Sequence, residues 1–316
     1  MVENKEFIVQ EGGVRLDAAV LREFPSSSRA FVREAISLGL VLVGGCRTDK
    51  GRKLRKGDLV SVVKLMESSD NRVKPFGVCP SPLFEDEALL AFDKPSSMPV
   101  QPLTCRETGT LMNAVVSAYP ECREVGDSPL MAGAVHRIDA DTSGLVLVAR
   151  SSHAFERMRE QFSQHTVRKT YLALVEGAVA VGGTLENDLV HDPQLPYCRM
   201  IDFERNRLSP AERAKLKPMH AVTEFRPIGH TFCGAEERTL IEVVIYTGVT
   251  HQIRAQLAMA GMHIINDRLY GAFAIEGQKG HCLHSYAAAF NHPISGDPVE
   301  IRTQLPDWAD LRSARE

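Results

Sequence analysis

A chain of 316 residues with 44% hydrophobic and 24% charged residues is neither disordered nor fibrous, and it is long enough for two domains. The formal net charge of −3 excludes a protein coated with cations. Neither the charged start, Met1-Val2-Glu3-Asn4-Lys5-Glu6, nor any later run reads as a signal peptide or a membrane span, and seven scattered cysteines without a Cys-x-x-Cys pair fit reduced thiols in a cytoplasmic protein.

In chain order, Arg15-Leu16-Asp17 leads into Ala18-Ala19-Val20-Leu21, a short helix expected to stop at Pro25. Ser28 suits the cap of a second helix whose apolar residues Phe31, Val32, Ala35 and Ile36 recur at helical spacing, and Gly39 suits its end. Leu40-Val41-Leu42-Val43 reads as a strand, and Gly57-Asp58 turns into another over Leu59-Val60-Ser61-Val62-Val63. Between Arg29 and Lys56 lie eight basic residues against two acids. Such a patch suits phosphates, although a solvated hairpin tip has the same composition.

Met66 to Pro80 lacks periodicity and reads as a linker, which gives domains over 1–66 and 81–316 with 67–80 between them. A strand ending in a turn is expected over Glu87 to Pro95, and strands over Leu145 to Ala149, Thr170 to Val175 and Leu240 to Ile245. Helices are expected over Ser152 to His165, with Phe155, Met158 and Phe162 on one face, and over His251 to Met259. Irregular strand order with few helices points to α+β. His281 and His284 are close in sequence, but no further ligand cluster flanks them, so structural histidines are expected rather than a metal pair.

The stretch "HRIDADTSG", His136 to Gly144, runs straight into the apolar Leu145 to Ala149. It admits three readings. Asp141-Thr142-Ser143-Gly144 makes a good turn. The Asp-x-Asp pair could serve a metal-dependent phosphatase of the haloacid-dehalogenase type, but there the apolar strand precedes the motif and here it follows. A lone catalytic carboxylate is the third.

The third is strengthened by resemblance. "HRIDADTSGLVLVAR" resembles the His-Arg-Leu-Asp-x-x-Thr-Ser-Gly-Leu signature of the RluA-type pseudouridine synthases. In the family's order, "AFDKPSSMPVQP" resembles its Asn-Lys-Pro-x-Gly segment and "VRKTYLALVEG" its Lys-x-Tyr strand. "YTGVTHQIRAQLAMAGMHIINDRLYG" resembles its Thr-Gly-Arg-Thr-His-Gln-Ile-Arg block, and "LHSYAAAFNHP" its Leu-His-Ala strand. The N-terminal helix-helix-strand order with "SSSRAFVREAISLGLVLVGG" and "LRKGDLVSV" resembles the S4 RNA-binding domain. Val249, Gln256, His263 and Asn266 depart from the family's usual arginine, histidine, proline and glycine.

The resemblance implies an S4-like (αL) domain followed by a catalytic domain on a mixed, largely antiparallel β-sheet with flanking helices. It implies isomerisation of uridine to pseudouridine in RNA, ribosomal RNA first and transfer RNA second, with no cofactor, because bonds break and form within one nucleotide. Asp139 matches the catalytic aspartate, which either attacks C1′ or removes a ribose proton. Arg254 matches the basic residue that keeps the aspartate charged, and Tyr171 the aromatic residue against the target base, with a hydroxyl that could assist proton removal at C5. Arg137 matches the arginine that fills the gap left by the extruded nucleotide. In the S4-like part, Arg29, Arg33, Arg52, Lys53 and Lys56 are the expected phosphate contacts. His136 is a supporting group without an assigned role. The competing function on the same fold is a catalytically idle RNA-binding or ribosome-assembly protein, against which the complete Asp139, Tyr171 and Arg254 set argues.

Overall fold

The computed structural model describes residues 5–24, 29–62, 71–195, 199–233, 236–273 and 280–309. Chain contacts divide the protein into two units, Met1–Asn71 and Arg72–Glu316. The expected helix stop Pro25, the cap Ser28, Val63 and the first part of the expected linker, 66–70, lie outside the described residues. Among the described residues no helix is long and apolar enough to cross a membrane.

The first unit contains β1 (Lys5–Ile8), α1 (Leu16–Glu23), α2 (Arg29–Ser37), β2 (Val41–Val43), β3 (Cys46–Arg47) and β4 (Leu59–Val62). Its strands form an antiparallel sheet in the order β1-β4-β2-β3. Leu16 and Val20 of α1 pack with Val32, Ala35 and Ile36 of α2 over Val41 and Val60. The helical spacing seen in the sequence is therefore the buried stripe of α2, and Arg29 and Arg33 project to solvent. Gly39 ends that helix in the left-handed region, φ 73, with Leu40 N–H donating back to the Ala35 carbonyl. A glycine reaches this geometry without strain.

The second unit begins with a buried anchor: Val73, inside the stretch read as linker, is fully buried in its core, and Val73 N–H donates to Pro129 O. In order follow β5 (Phe84–Glu85), β6 (Leu89–Lys94), α3 (Leu111–Ala118), β7 (Ser143–Ala149), α4 (Ser152–Ser163), β8 (Arg168–Glu176), β9 (Gly183–His191) and β10 (Met200–Asp202). Then come α5 (Pro210–Arg213), β11 (Met219–Cys233), β12 (Glu236–Ile245), α6 (Gln252–Met259), β13 (Leu283–Asn291) and β14 (Pro298–Arg302). The sheet runs β10-β9-β11-β12-β8-β13-β7-β6-β5, with β14 on β13. It is a mixed sheet, antiparallel except where β13 meets β7, and its helices flank it in an α+β arrangement.

Because β7 is covered on both faces, its sequence is apolar throughout instead of alternating. Val146 and Val148 join one core with Tyr171, Val243 and Ile253, whereas Leu145, Leu147 and Ala149 join another with Phe155 and Met158 of α4.

The turn before β7 differs from the expected Asp141-Thr142-Ser143-Gly144. Thr142 N–H donates to Asp139 O at 3.2 Å, so the turn spans Asp139 to Thr142, and Ser143 and Gly144 already belong to the strand. Gly144 has φ 107, and a Cβ there would sit 2.2 Å from Ser285 O. The glycine permits β7 to close on β13 in parallel register, Ser285 opposite Gly144. Across the sheet Tyr171 pairs with Ser285 and Val243 with Tyr171, so one row runs from the Asp139 turn to Tyr171.

Candidate active site

Asp139 is held from several directions. Ile138 is buried in the core beside it, and Thr142 is buried after it, its hydroxyl 2.7 Å from His281 Nε2. Lys94, at the end of β6 and 0% exposed, donates Nζ protons to the carbonyls of Pro95 (2.9 Å), Met98 (2.7 Å) and Ala140 (2.9 Å). An ammonium has three protons, and here three carbonyl oxygens receive them, one from the turn itself. Burial pushes the Lys94 ammonium down to about 8, against the pull of Asp141, Asp139 and Asp93, so it stays charged at neutral pH.

Arg254 joins Asp139 to a second carboxylate. Its Nη1 donates to Asp139 Oδ2 at 2.7 Å, while Nε and Nη2 grip Asp267 Oδ2 and Oδ1 at 2.6 and 2.8 Å. The fork geometry suits guanidinium and not a lysine. Burial opposes the Arg254 charge, but the Asp267 bond and the charges of Asp267 and Asp139 outweigh it, and the group is held above its ordinary value. Burial likewise pushes the Asp139 carboxyl up; in acid a protonated His251, and at any pH the Arg254 charge and hydrogen bond, with a protonated His281, overcome it and leave Asp139 below the usual carboxylate range. His251 is itself lowered by burial. Near neutrality its imidazole is uncharged, so Arg254 is what keeps Asp139 ionised.

A cavity of about 450 Å³ opens beside this pair, with Tyr171, Ile245 and Leu283 as an apolar wall and Arg137, Arg159 and Lys169 among its basic groups. Its size is in the range of small-ligand sites. A second cavity of about 410 Å³ meets Asp139 from another side and carries Gln101, Glu107, Asp141 and His281. Tyr171 is 7% exposed, and burial pushes its phenol up to about 12 despite a hydrogen bond with Ser285, so it keeps its proton at neutral pH. Arg137 is exposed beside both cavities and makes no hydrogen bond or ion pair among the described residues. Asp139, Tyr171, Arg254 and Arg137 thus share one cavity.

His136 accepts the Leu147 N–H at Nε2, 3.0 Å, stacks on Phe162 and is pushed to about 3 by burial. It is a neutral structural residue. His284 bonds the hydroxyls of Ser143 and Thr303, 2.8 and 2.6 Å, and among the described residues no group of three His, Cys, Asp or Glu could hold a metal. Sequence reasoning missed Lys94, His251, Tyr270 and Asp267. Asp267 lies in "HIINDRLYG", an apolar setting where one acid needs a buried cation. Among the departures, Gln256 pins α6 by donating to Asn187 Oδ1 and Ala221 O, Asn266 takes the left-handed φ of 67, Val249 packs beside Ala255, and His263 bonds the Tyr270 carbonyl.

In the first unit Arg29 and Arg33 are exposed on α2, and Arg52, Lys53 and Lys56 are exposed on the segment before β4. Asp17 stands between Arg15 (3.0 Å) and Arg33 (3.6 Å), and Arg52 is 3.9 Å from Asp58. Leu16 N–H donates to Arg52 O, which brings α1 and the basic segment together.

Comparison with known proteins adds to this geometry. A family model described as RNA pseudouridylate synthase matches residues 88–259, and an S4 domain model matches residues 14–60. The chain is 32% identical over 308 residues to "Ribosomal large subunit pseudouridine synthase D" of Xanthomonas campestris pv. campestris, covering 93% of this chain and 86% of that one. It is 30% identical to the protein of the same name from Escherichia coli O157:H7, covering 95% and 90%. Among solved structures, human RNA Pseudouridylate Synthase Domain Containing 1 shares the fold, with TM-score 0.57 and 20% identity over 74% of this chain and 87% of that one.

Proposed function

The chain belongs to the RNA pseudouridylate synthase family, and from that membership we propose that its substrate is ribosomal RNA of the large subunit, in the cytoplasm, with Asp139 as the reacting carboxylate. The enzyme isomerises uridine to pseudouridine in RNA. Ribosomal RNA is favoured because its relatives carry that substrate in their names and an S4 domain stands in front; transfer RNA is the second candidate. The division that follows is an RNA-binding domain over 1–66 and a catalytic domain from Arg72, where Val73 already enters its core, in place of a connection running to 80.

The observation that carries the reading is the ion pair of Asp139 with Arg254 at 2.7 Å, at the edge of a cavity walled by Tyr171. A uridine in a duplex must leave the stack to reach it, at a cost of a few kcal/mol. Arg137, exposed at that opening, is the side chain assigned to the vacated space. In the cavity the base lies against Tyr171, where an aromatic plane contributes roughly 1–3 kcal/mol. With its proton retained, Tyr171 acts as a plane and a hydrogen-bond donor, not as a resting base. Asp139, ionised, supplies the oxygen that acts on the ribose, whether at C1′ or on a ribose proton. Arg29, Arg33, Arg52, Lys53 and Lys56 hold phosphates and make binding depend on salt.

Asp139→Asn keeps the size of the side chain and removes the anion. Carbodiimide labelling and primer extension on large-subunit ribosomal RNA, from cells expressing either form in place of the gene, should show a modified uridine only with the original aspartate. Full modification by Asp139→Asn would sink the assignment. Activity that a chelator abolishes would point instead to metal-dependent chemistry at the Asp-x-Asp pair.

A further inference from the structure

His251 caps the start of α6 with φ 52, a left-handed conformation that residues with a Cβ avoid. That backbone places its ring between Asp139 and Tyr270. Nε2 is 3.6 Å from Asp139 Oδ2, and Nδ1 is 3.1 Å from the Tyr270 hydroxyl. The Tyr270 oxygen already accepts the Met200 N–H at 2.9 Å. Its single proton has no other acceptor among the described residues, so it goes to Nδ1. A neutral imidazole with Nδ1 as acceptor carries its proton on Nε2. Burial holds the Tyr270 phenol up at about 12 and lowers His251, so both groups are neutral at physiological pH and the arrangement has one tautomer.

Two donors therefore face Oδ2 of Asp139: Arg254 Nη1 at 2.7 Å and His251 Nε2 at 3.6 Å. Oδ1 has no hydrogen-bond partner among the described residues. The longer distance is of the kind that catalytic pairs show before substrate closes the site. We propose that His251, oriented by Tyr270, is a positioning residue for the isomerisation: it helps Arg254 hold Oδ2 and leaves Oδ1 as the oxygen that meets the ribose. The proposal rests on the reading of Asp139 given above. The charged and titratable groups around His251 are Asp139 from the turn before β7, Arg254 on its own helix, Asp267 and Tyr270 from the segment after it, and His191 of β9.

The test uses release of tritium from a large-subunit ribosomal RNA transcript carrying uridine tritiated at C5, followed to kcat and KM across pH. His251→Gly removes the ring while favouring the left-handed backbone, so its kcat should fall roughly tenfold to a hundredfold with KM nearly unchanged. The acid limb of its kcat profile should move to higher pH, because Asp139 loses a donor to its anion. His251→Gln, whose amide can still donate, should recover most of the rate, and Tyr270→Phe should lose part of it by freeing the tautomer. Wild-type kcat with an unmoved acid limb in His251→Gly overturns the proposal. So does an equal loss in the Gly and Gln variants, which would mark the ring as packing alone. If His251→Gly does not fold, Tyr270→Phe with wild-type kcat and pH profile, and the same melting temperature, overturns it equally. Asp139→Asn runs in parallel: activity there defeats the reading of Asp139, whereas an inactive Asp139→Asn beside a fully active His251→Gly defeats only this inference.

Discussion

Arginine and aspartate meet in both units, in opposite proportion. In the first, one carboxylate, Asp17, is shared by Arg15 and Arg33, whose side chains are 51% and 52% exposed. In the second, one guanidinium, Arg254, at 9% exposure, is shared by Asp139 and Asp267. The first arrangement leaves surplus cation in water, where salt screens it and a phosphate can compete for it. The second holds surplus anion on a buried guanidinium, with Asp139 30% exposed at the cavity edge and Asp267 2% exposed behind it. The same two residue types leave exposed cation in one place and an ionised carboxylate in the other, and burial of the arginine makes the difference.

The largest effect should come from breaking the buried arrangement. Asp267→Ala leaves Arg254 paired with Asp139 alone and strips Nε and Nη2 of their acceptors, and a buried donor left unpaired costs about 1–3 kcal/mol, more when it is charged. Urea unfolding of the second unit should show that loss, and tritium release should fall by roughly a hundredfold or more as Arg254 swings away from Asp139. Arg15→Ala, the counterpart in the first unit, should leave the unfolding curve unchanged. Similar losses in both variants would erase the distinction drawn from burial.

In the first unit both helices, β2 and β4 were legible because their signals are local, whereas the short strands β1 and β3 were not expected. Helical spacing of Val32, Ala35 and Ile36 and the glycine after α2 report packing a few residues away. In the second unit the same holds for α4 and for β7, whose apolar run reports two covered faces. Legibility failed where the reason lies far along the chain. Gly144 looked like a turn residue, but its lack of a Cβ serves Ser285, which no local pattern foretells. Lys94 was given no role in the "AFDKP" segment, and it fastens Ala140, 46 residues on. Asp267 and Tyr270 act on Arg254 and His251 through space. Asp139 and Arg254 were found only because their motifs resembled a known family; spacing alone left three readings of "HRIDADTSG".

A smaller effect should separate the units by salt. Replacing Arg29, Arg33, Lys53 and Lys56 with glutamine should weaken RNA binding and flatten its dependence on salt, by roughly 0.7–0.9 in log–log slope for each phosphate that is no longer neutralised. Filter binding between low and moderate salt measures the slope. The saturating rate of pseudouridine formation should not change, since Asp139 keeps its own surroundings. An unchanged slope would mark the patch as solvated surface only.

The smallest effect is expected within the motif itself. Asp141 is exposed, and among the described residues its carboxylate receives one long bond, from Ser97 at 3.3 Å. The turn is closed by backbone, Thr142 N–H to Asp139 O, and is fastened by Lys94 at Ala140 O and by the Ser96 hydroxyl at Asp141 O, none of which needs the Asp141 side chain. Asp141→Ala should therefore keep most of the activity at pH 7. Its charge still favours the Lys94 ammonium, which burial already lowers to about 8. Without it Lys94 gives up its proton at lower pH, and a neutral amine has two protons for three carbonyls. Tritium release by Asp141→Ala should accordingly fall off earlier than in the parent as pH rises from 7 to 9. Parallel profiles over that range would show that Lys94 holds the turn through interactions that its charge does not control.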